Sequence, residues 1–167
     1  MRMKIRHVSL EDAEQVCHLI LRVENDSKYM LFGPGERMVT KEQLHSRILA
    51  MESEQRSTII VAESDDKLVG YLMASGGSSN RTNHTVYLVV GILTDYQGQG
   101  IGIALFEFLE QWAKQQNIHR MELTVAHPNE AGIRLYKKMK FTIEGTKRNS
   151  LYIDGNYVDE YYMAKLI

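Results

Sequence analysis

The chain has 167 residues, 44% of them apolar and 25% charged, with a formal net charge of −1, which are ordinary values for a soluble globular protein. That balance gives no electrostatic reason to expect nucleic acid or an acidic membrane surface as a partner, and no long Lys/Arg run supplies one locally. The lone cysteine, Cys17, excludes an internal disulfide and a multi-cysteine metal site, and the scattered His7, His18, His45 and His119 lack metal-ligand spacing, so no metal is expected.

The first residues lack the apolar core of a signal peptide, and no apolar run approaches the ~20 residues that span a bilayer. A cytoplasmic protein with one domain over residues 1–167 is expected. Residues 3–8 read as a short strand. Ser9 with Asp12 three residues on resembles a capping box, and Ala13, Val16, Leu19, Ile20 and Val23 recur at helical spacing over roughly 10–23. Cys17 lies within that helix as a packed thiol.

Residues 24–39 mix aromatic and turn residues without a period and read as an irregular connection. Thr40 caps a second helix to about Glu52, with Leu44, Ile48, Leu49 and Met51 as its apolar set. Thr58–Glu63 is a strand by its β-branched content, Asp65-Asp66 a turn, and Leu68–Ala74 the returning strand. Gly76–Arg81 is a loop.

The apolar run Val86–Leu93 then reads as a buried strand. It passes through Thr94-Asp95-Tyr96 into Gln97-Gly98-Gln99-Gly100-Ile101-Gly102 and on into an amphipathic helix reaching Trp112. Such a turn leaves backbone N–H groups uncovered at the positive end of a helix dipole, a site for phosphate. It is neither G-x-x-x-x-G-K-[ST] nor G-x-G-x-x-G, because no Lys-Ser or Lys-Thr follows and the glycines alternate. A bare connector has no need of three alternating glycines, each with an entropic cost. Beyond it come a strand over Arg120–Val125, a helix from Asn129 to Met139, a strand at Phe141–Gly145, and a tail hairpin of Lys147–Ile153 and Tyr157–Leu166 turning at Asp154-Gly155-Asn156.

The glycine segment resembles the Q/R-x-x-G-x-G/A motif of the GCN5-related N-acetyltransferase (GNAT) superfamily. Downstream, Asn129, Ala131, Leu135, Tyr136, Lys138 and Phe141 resemble that family's second acetyl-CoA segment. The element order agrees over essentially the whole chain. The resemblance implies an α/β, single-domain GNAT-like fold: a mixed central β-sheet of about seven strands flanked by about four helices, with splayed central strands. It implies acetyl-CoA as co-substrate and acetyl transfer to a primary amine, on a small molecule or a peptide, by direct attack in a ternary complex. A catalytically silent CoA-binding or interaction module on the same fold is the alternative. The superfamily's habit of pairing tail strands leaves a homodimer open.

Carried onto these residues, the resemblance places the pyrophosphate on Gln97, Gly98, Gln99, Gly100, Ile101, Gly102 and Ile103, which helix-terminus physics also indicates. Pantetheine falls along Val90, Gly91 and Ile92, where Gly91 suits a close approach or a bulge. The Ile92 amide becomes the donor to the thioester oxyanion. Asn129 becomes a cofactor contact as well as a helix cap, and Tyr136 the acid that protonates the departing thiolate.

The general base is not marked. Many relatives place a glutamate where Tyr87 stands, so Glu122, His127 and, more weakly, His84 are candidates beside a water chain. Lys140 stands where relatives usually show a C-capping glycine, which implies a different helix exit. Glu24, Asp26, Tyr29 and Glu36 suggest an anionic mouth for a cationic acceptor, to which the tail adds Tyr152, Asp154, Asp159 and Tyr161.

Overall fold

The computed structural model describes residues 2–167. Seven strands form one mixed sheet in the order β1-β2-β3-β4-β5-β7-β6. They are β1 (Met3–His7), β2 (Thr58–Ser64), β3 (Lys67–Gly76), β4 (Thr85–Ile92), β5 (Arg120–Ala126), β6 (Thr142–Ile153) and β7 (Asn156–Leu166), and the helices are α1 (Ala13–Asp26), α2 (Lys41–Ser53), α3 (Ile101–Gln115) and α4 (Glu130–Lys138). The expected α/β order and seven-strand sheet are observed.

Local chemistry accounts for most boundaries. Asp12 accepts from the Ser9 N–H (2.8 Å) and Ser9 Oγ (3.1 Å), fixing a short 3₁₀ turn that leads into α1. Thr40 and Gln43 cap α2 reciprocally: Gln43 N donates to Thr40 Oγ1 (3.2 Å) and Thr40 N to Gln43 Oε1 (3.1 Å). Only Leu44 and Ile48 of the expected α2 set are buried, and Leu49 is exposed. Asp65 and Asp66 both adopt positive φ (49° and 67°), the backbone of a two-residue hairpin turn. The Cys17 thiol is buried and donates to Val39 O (3.0 Å), and burial pushes its pKa up.

Three expectations need correction. The segment 24–39 is not irregular throughout, because α1 runs on to Asp26. Phe141–Gly145 and Lys147–Ile153 are not separate strands. They form one β6, with register irregularities between Ile143 and Gly145 and between Lys147 and Leu151. Lys140 does not change the helix exit. It takes φ 73° itself, with Lys140 N donating to Lys137 O (2.9 Å) and Phe141 N to Tyr136 O (2.9 Å), the Schellman pattern a glycine usually makes.

The feature that positions the site lies between β4 and β5. They pair in parallel only at Thr85↔Arg120, Val86↔Met121 and Tyr87↔Glu122, and beyond Tyr87 the pairing stops. On its other edge β4 pairs with β3 without a break from Val86 to Ile92. The sheet therefore opens as a wedge on one side of β4 alone.

Candidate active site

An antiparallel ladder alternates residues that bond to the partner strand with residues that face away from it. Gly77 N donates to Thr85 O (3.1 Å) and Leu93 N to Val69 O (2.9 Å), so the odd-numbered residues of β4 bond to β3. The even-numbered ones, including Val90 and Ile92, turn their N–H and C=O toward β5, where β5 has already diverged. The Ile92 carbonyl is taken by Gln97 Nε2 (3.2 Å), while its N–H is left facing the wedge. Extended backbone with free donors and acceptors in a gap suits a ligand that carries amides and a carbonyl.

Gly91 is not a bulge, since the β3–β4 register passes through it unbroken. Its missing side chain serves a different contact. A Cβ there would stand 2.7 Å and 2.8 Å from Tyr71 ring atoms and 2.8 Å from Val23 Cγ1, so the close approach is made by β3 and α1.

The glycine turn closes the wedge's upper end. Tyr96 and Gln97 donate to Leu93 O and Thr94 O, and Ala104 N donates to Gly100 O (3.1 Å). Between them, the backbone N–H groups of Gly98, Gln99, Gly100, Ile101, Gly102 and Ile103 have no intramolecular acceptor among the described residues, while Gln99 Nε2 donates to Asp95 O (3.2 Å). Gly98 (φ 74°) and Gly100 (φ 83°) adopt the left-handed backbone, and a Cβ on either would meet open space. These glycines are needed for conformation and leave the amides uncovered. Gly102 has another reason: a Cβ there would come within 2.8 Å of Leu135 Cδ2, so it lets α3 and α4 close on each other. A run of free N–H groups at a helix start fits a diphosphate. A larger cavity of about 630 Å³, lined by His7, Glu52, Glu54, Trp112 and Gln116 near the far end of α3, has no such array.

Asn129 caps α4, its Oδ1 accepting from Gly132 N (3.0 Å). Tyr136 is buried, its ring edge-on to Phe106 (5.8 Å between centroids). Arg37 Nε is the one shut-off side-chain polar atom without a partner among the described residues, so the unpartnered Tyr136 hydroxyl keeps an opening. Burial, and secondarily the field of Tyr87, pushes the Tyr136 phenol well above its ordinary value, so it is protonated throughout the neutral range.

The remaining candidates separate. Glu122 sits at the foot of the wedge opposite Tyr87, with Oε2 held by Arg120 Nε (2.7 Å). Arg120 also grips Glu144 through both terminal nitrogens (3.0 Å and 2.6 Å). His127 lies against the Tyr161 ring, and His84 against His119. The expected anionic mouth is largely neutralised. Glu24 is buried and paired with Arg37 (2.7 Å), which lies over the Phe32 ring, and Glu36 accepts from Gly33 N. Asp159 is likewise engaged, by Asn149 N (2.7 Å). Composition missed the Glu24–Arg37 pair because nothing marks partners thirteen residues apart. Also missed was a hydrogen bond between Tyr87 Oη and Thr124 Oγ1 (2.8 Å) that spans the wedge.

A splayed pair of parallel strands beside a glycine-rich helix start is the arrangement that the resemblance to the acetyltransferases implies, and it fits a ligand that carries both amides and a diphosphate. The chain belongs to the acetyltransferase (GNAT) family, whose model matches residues 20–141. It is 33% identical over 108 residues to the L-amino acid N-acetyltransferase AaaT of Escherichia coli, covering 64% of this chain and 67% of that one. A GNAT-family acetyltransferase from Streptococcus pneumoniae superposes with a TM-score of 0.95 at 27% identity, covering 99% of each chain. The Salmonella typhimurium acetyltransferase yncA, solved with acetyl-CoA, gives 0.88 at 21% identity over 98% of this chain and 93% of that one. The chain is an N-acetyltransferase. No helix among the described residues is long and apolar enough to cross a membrane.

Proposed function

We propose that the chain moves the acetyl group of acetyl-CoA to a primary amine by direct attack in a ternary complex. The observation that supports this reading is the one-sided wedge, with the Ile92 N–H facing into it and six free amides from Gly98 to Ile103 at its end. The amides of the turn bind the diphosphate, assisted by the α3 dipole. Val90 and Ile92 take the pantetheine arm, and the Ile92 N–H, fixed by the β3 ladder, donates to the carbonyl oxygen as it gains charge. Asn129 keeps its Nδ2 available to the cofactor while Oδ1 caps the helix.

Tyr136 holds the proton for the departing thiolate. Its raised pKa makes donation to an ordinary thiolate uphill, so transfer accompanies C–S cleavage, where a desolvated sulfur is also a stronger base. Cys17 donates to Val39 O from within α1, so no acyl-cysteine step is invoked. The relative named for L-amino acids makes α-amines of amino acids the first acceptors to test, with other small amines and peptide N-termini beside them.

The test is acetyl-CoA turnover against an amine panel, read as free thiol. Transfer by the wild type, with Gly100→Glu losing acetyl-CoA binding and Tyr136→Phe losing turnover but not binding, supports the reading. Binding with no turnover on any amine favours a silent CoA-binding module, a reading to which the Arg120 grip on Glu122 lends support.

A further inference from the structure

Deprotonation of the acceptor is the step for which the carboxylates lining the foot of the wedge are already engaged. Glu24 is closed against Arg37, and Glu122 and Glu144 are shared by Arg120. The unengaged polar chemistry at the foot of the wedge is the hydroxyl pair of Tyr87 and Thr124. Tyr87 is the last β4 residue still paired with β5, and Thr124 lies two residues beyond its partner Glu122, where backbone pairing has ceased. The 2.8 Å bond between their hydroxyls thus replaces the missing ladder as the link across the opening strands. Tyr87 is 42% exposed, and both side chains line a cavity of about 350 Å³ together with Arg120, Glu122, Glu144 and Tyr162. The bond spans the diverging strands, and both of its side chains face this open cavity.

We propose that Tyr87 Oη, held by Thr124, is a catalytic group that takes the proton of the attacking amine and passes it to solvent through the Thr124 hydroxyl. As the N–C bond forms, the N–H bond breaks and a new O–H bond forms on Tyr87. The original Tyr87 proton moves to Thr124 Oγ1, and the Thr124 proton leaves to water in the cavity. Neither hydroxyl is left charged, so no buried phenolate forms and the relay needs no carboxylate. This assignment rests on the amine-transfer reading above.

The experiment compares wild type, Tyr87→Phe, Thr124→Val and Thr124→Ser with two nucleophiles: the panel's fastest primary amine, and hydrazine, a much weaker base. The expected result is a fall in kcat of about 100-fold for Tyr87→Phe and Thr124→Val with the basic amine. Hydrazine should show a loss of less than about 10-fold, because its proton leaves more readily. Thr124→Ser should restore most of the rate, and the KM for acetyl-CoA and its thermal stabilisation should be unchanged throughout. Equal losses for both nucleophiles, no rescue by serine, or a defect confined to the KM for acetyl-CoA would make the pair a structural clasp and overturn the proposal. Absence of any wild-type turnover overturns instead the amine-transfer reading beneath it.

Discussion

Lys140 and Gly91 show how single positions carry geometry that neighbouring residues require. A left-handed backbone costs a non-glycine residue about 1–2 kcal/mol, and Lys140 bears that strain so that α4 can end in a Schellman turn and Phe141 can return to the core. Glycine would relieve the strain but lose about 0.5–1 kcal/mol through a freer unfolded chain. Relief exceeds that loss, so Lys140→Gly should stabilise the protein by about 0.5–1 kcal/mol in urea unfolding, with unchanged m-value. A destabilised variant would mean that the lysine side chain has a role the backbone does not show. Gly91 lies at the other extreme. Tyr71 and Val23 are buried and already touch the space a methyl would fill, so Gly91→Ala should lose about 1–3 kcal/mol in the same measurement. Stability equal to wild type would show that α1 can yield there.

Among the elements, β4 differs in having one finished edge and one open one. Its bonds to β3 run its whole length, whereas those to β5 stop at Tyr87. Hydrogen exchange should therefore alternate along the strand. Without ligand, the amides of Val89 and Gly91 should be protected and those of Val90 and Ile92 should exchange quickly, as should Gly98–Ile103. Acetyl-CoA should slow the fast set and leave the others unchanged, and slow exchange at Ile92 without ligand would mean the wedge closes on itself. The strand, the turn and the helix after it were legible because apolar runs, glycine spacing and helical periodicity are local. Which β4 amides face the wedge was not, because that depends on register with β3 and on where β5 departs. The same non-locality hid the Tyr87–Thr124 bond, which joins residues 37 positions apart.

At the scale of the whole molecule, the order of elements was readable from periodicity and turn residues, and the glycine motif pointed to the family and, through it, to a sheet of about seven strands. Electrostatic closure was not readable, since a charge in a sequence does not announce its partner. Glu24 looked like part of an open acidic mouth and is a buried half of an ion pair. Asp12 looked like a helix-capping residue and also holds the sheet's β1 edge. Its carboxylate accepts two bonds from Arg6 of β1 (2.7 Å and 2.9 Å) as well as those from Ser9, and Arg6 reaches on to Glu63 of β2 (3.3 Å). One carboxylate thereby joins the entry of α1 to two strands. The guanidinium of Arg6, followed by the Ser9 donors, outweighs burial and holds the Asp12 pKa below the ordinary carboxylate range. A carboxylate depressed in the folded state contributes stability that is complete above its unfolded pKa, about 3.9, and is lost as pH falls through the lower folded value. Asp12→Asn should therefore be about 2 kcal/mol less stable than wild type at pH 7 and at pH 5, because it removes charge-assisted bonds from a buried position. Below about pH 4 the difference should shrink as wild-type Asp12 takes up its proton, while carboxylates common to both proteins cancel. Urea unfolding of the two proteins at pH 7, 5, 4 and 3 measures that difference directly. A gap that stays constant down to pH 3 would mean that Asp12 contributes through shape and hydrogen-bond geometry rather than through its charge, and that the β1 edge is held by packing.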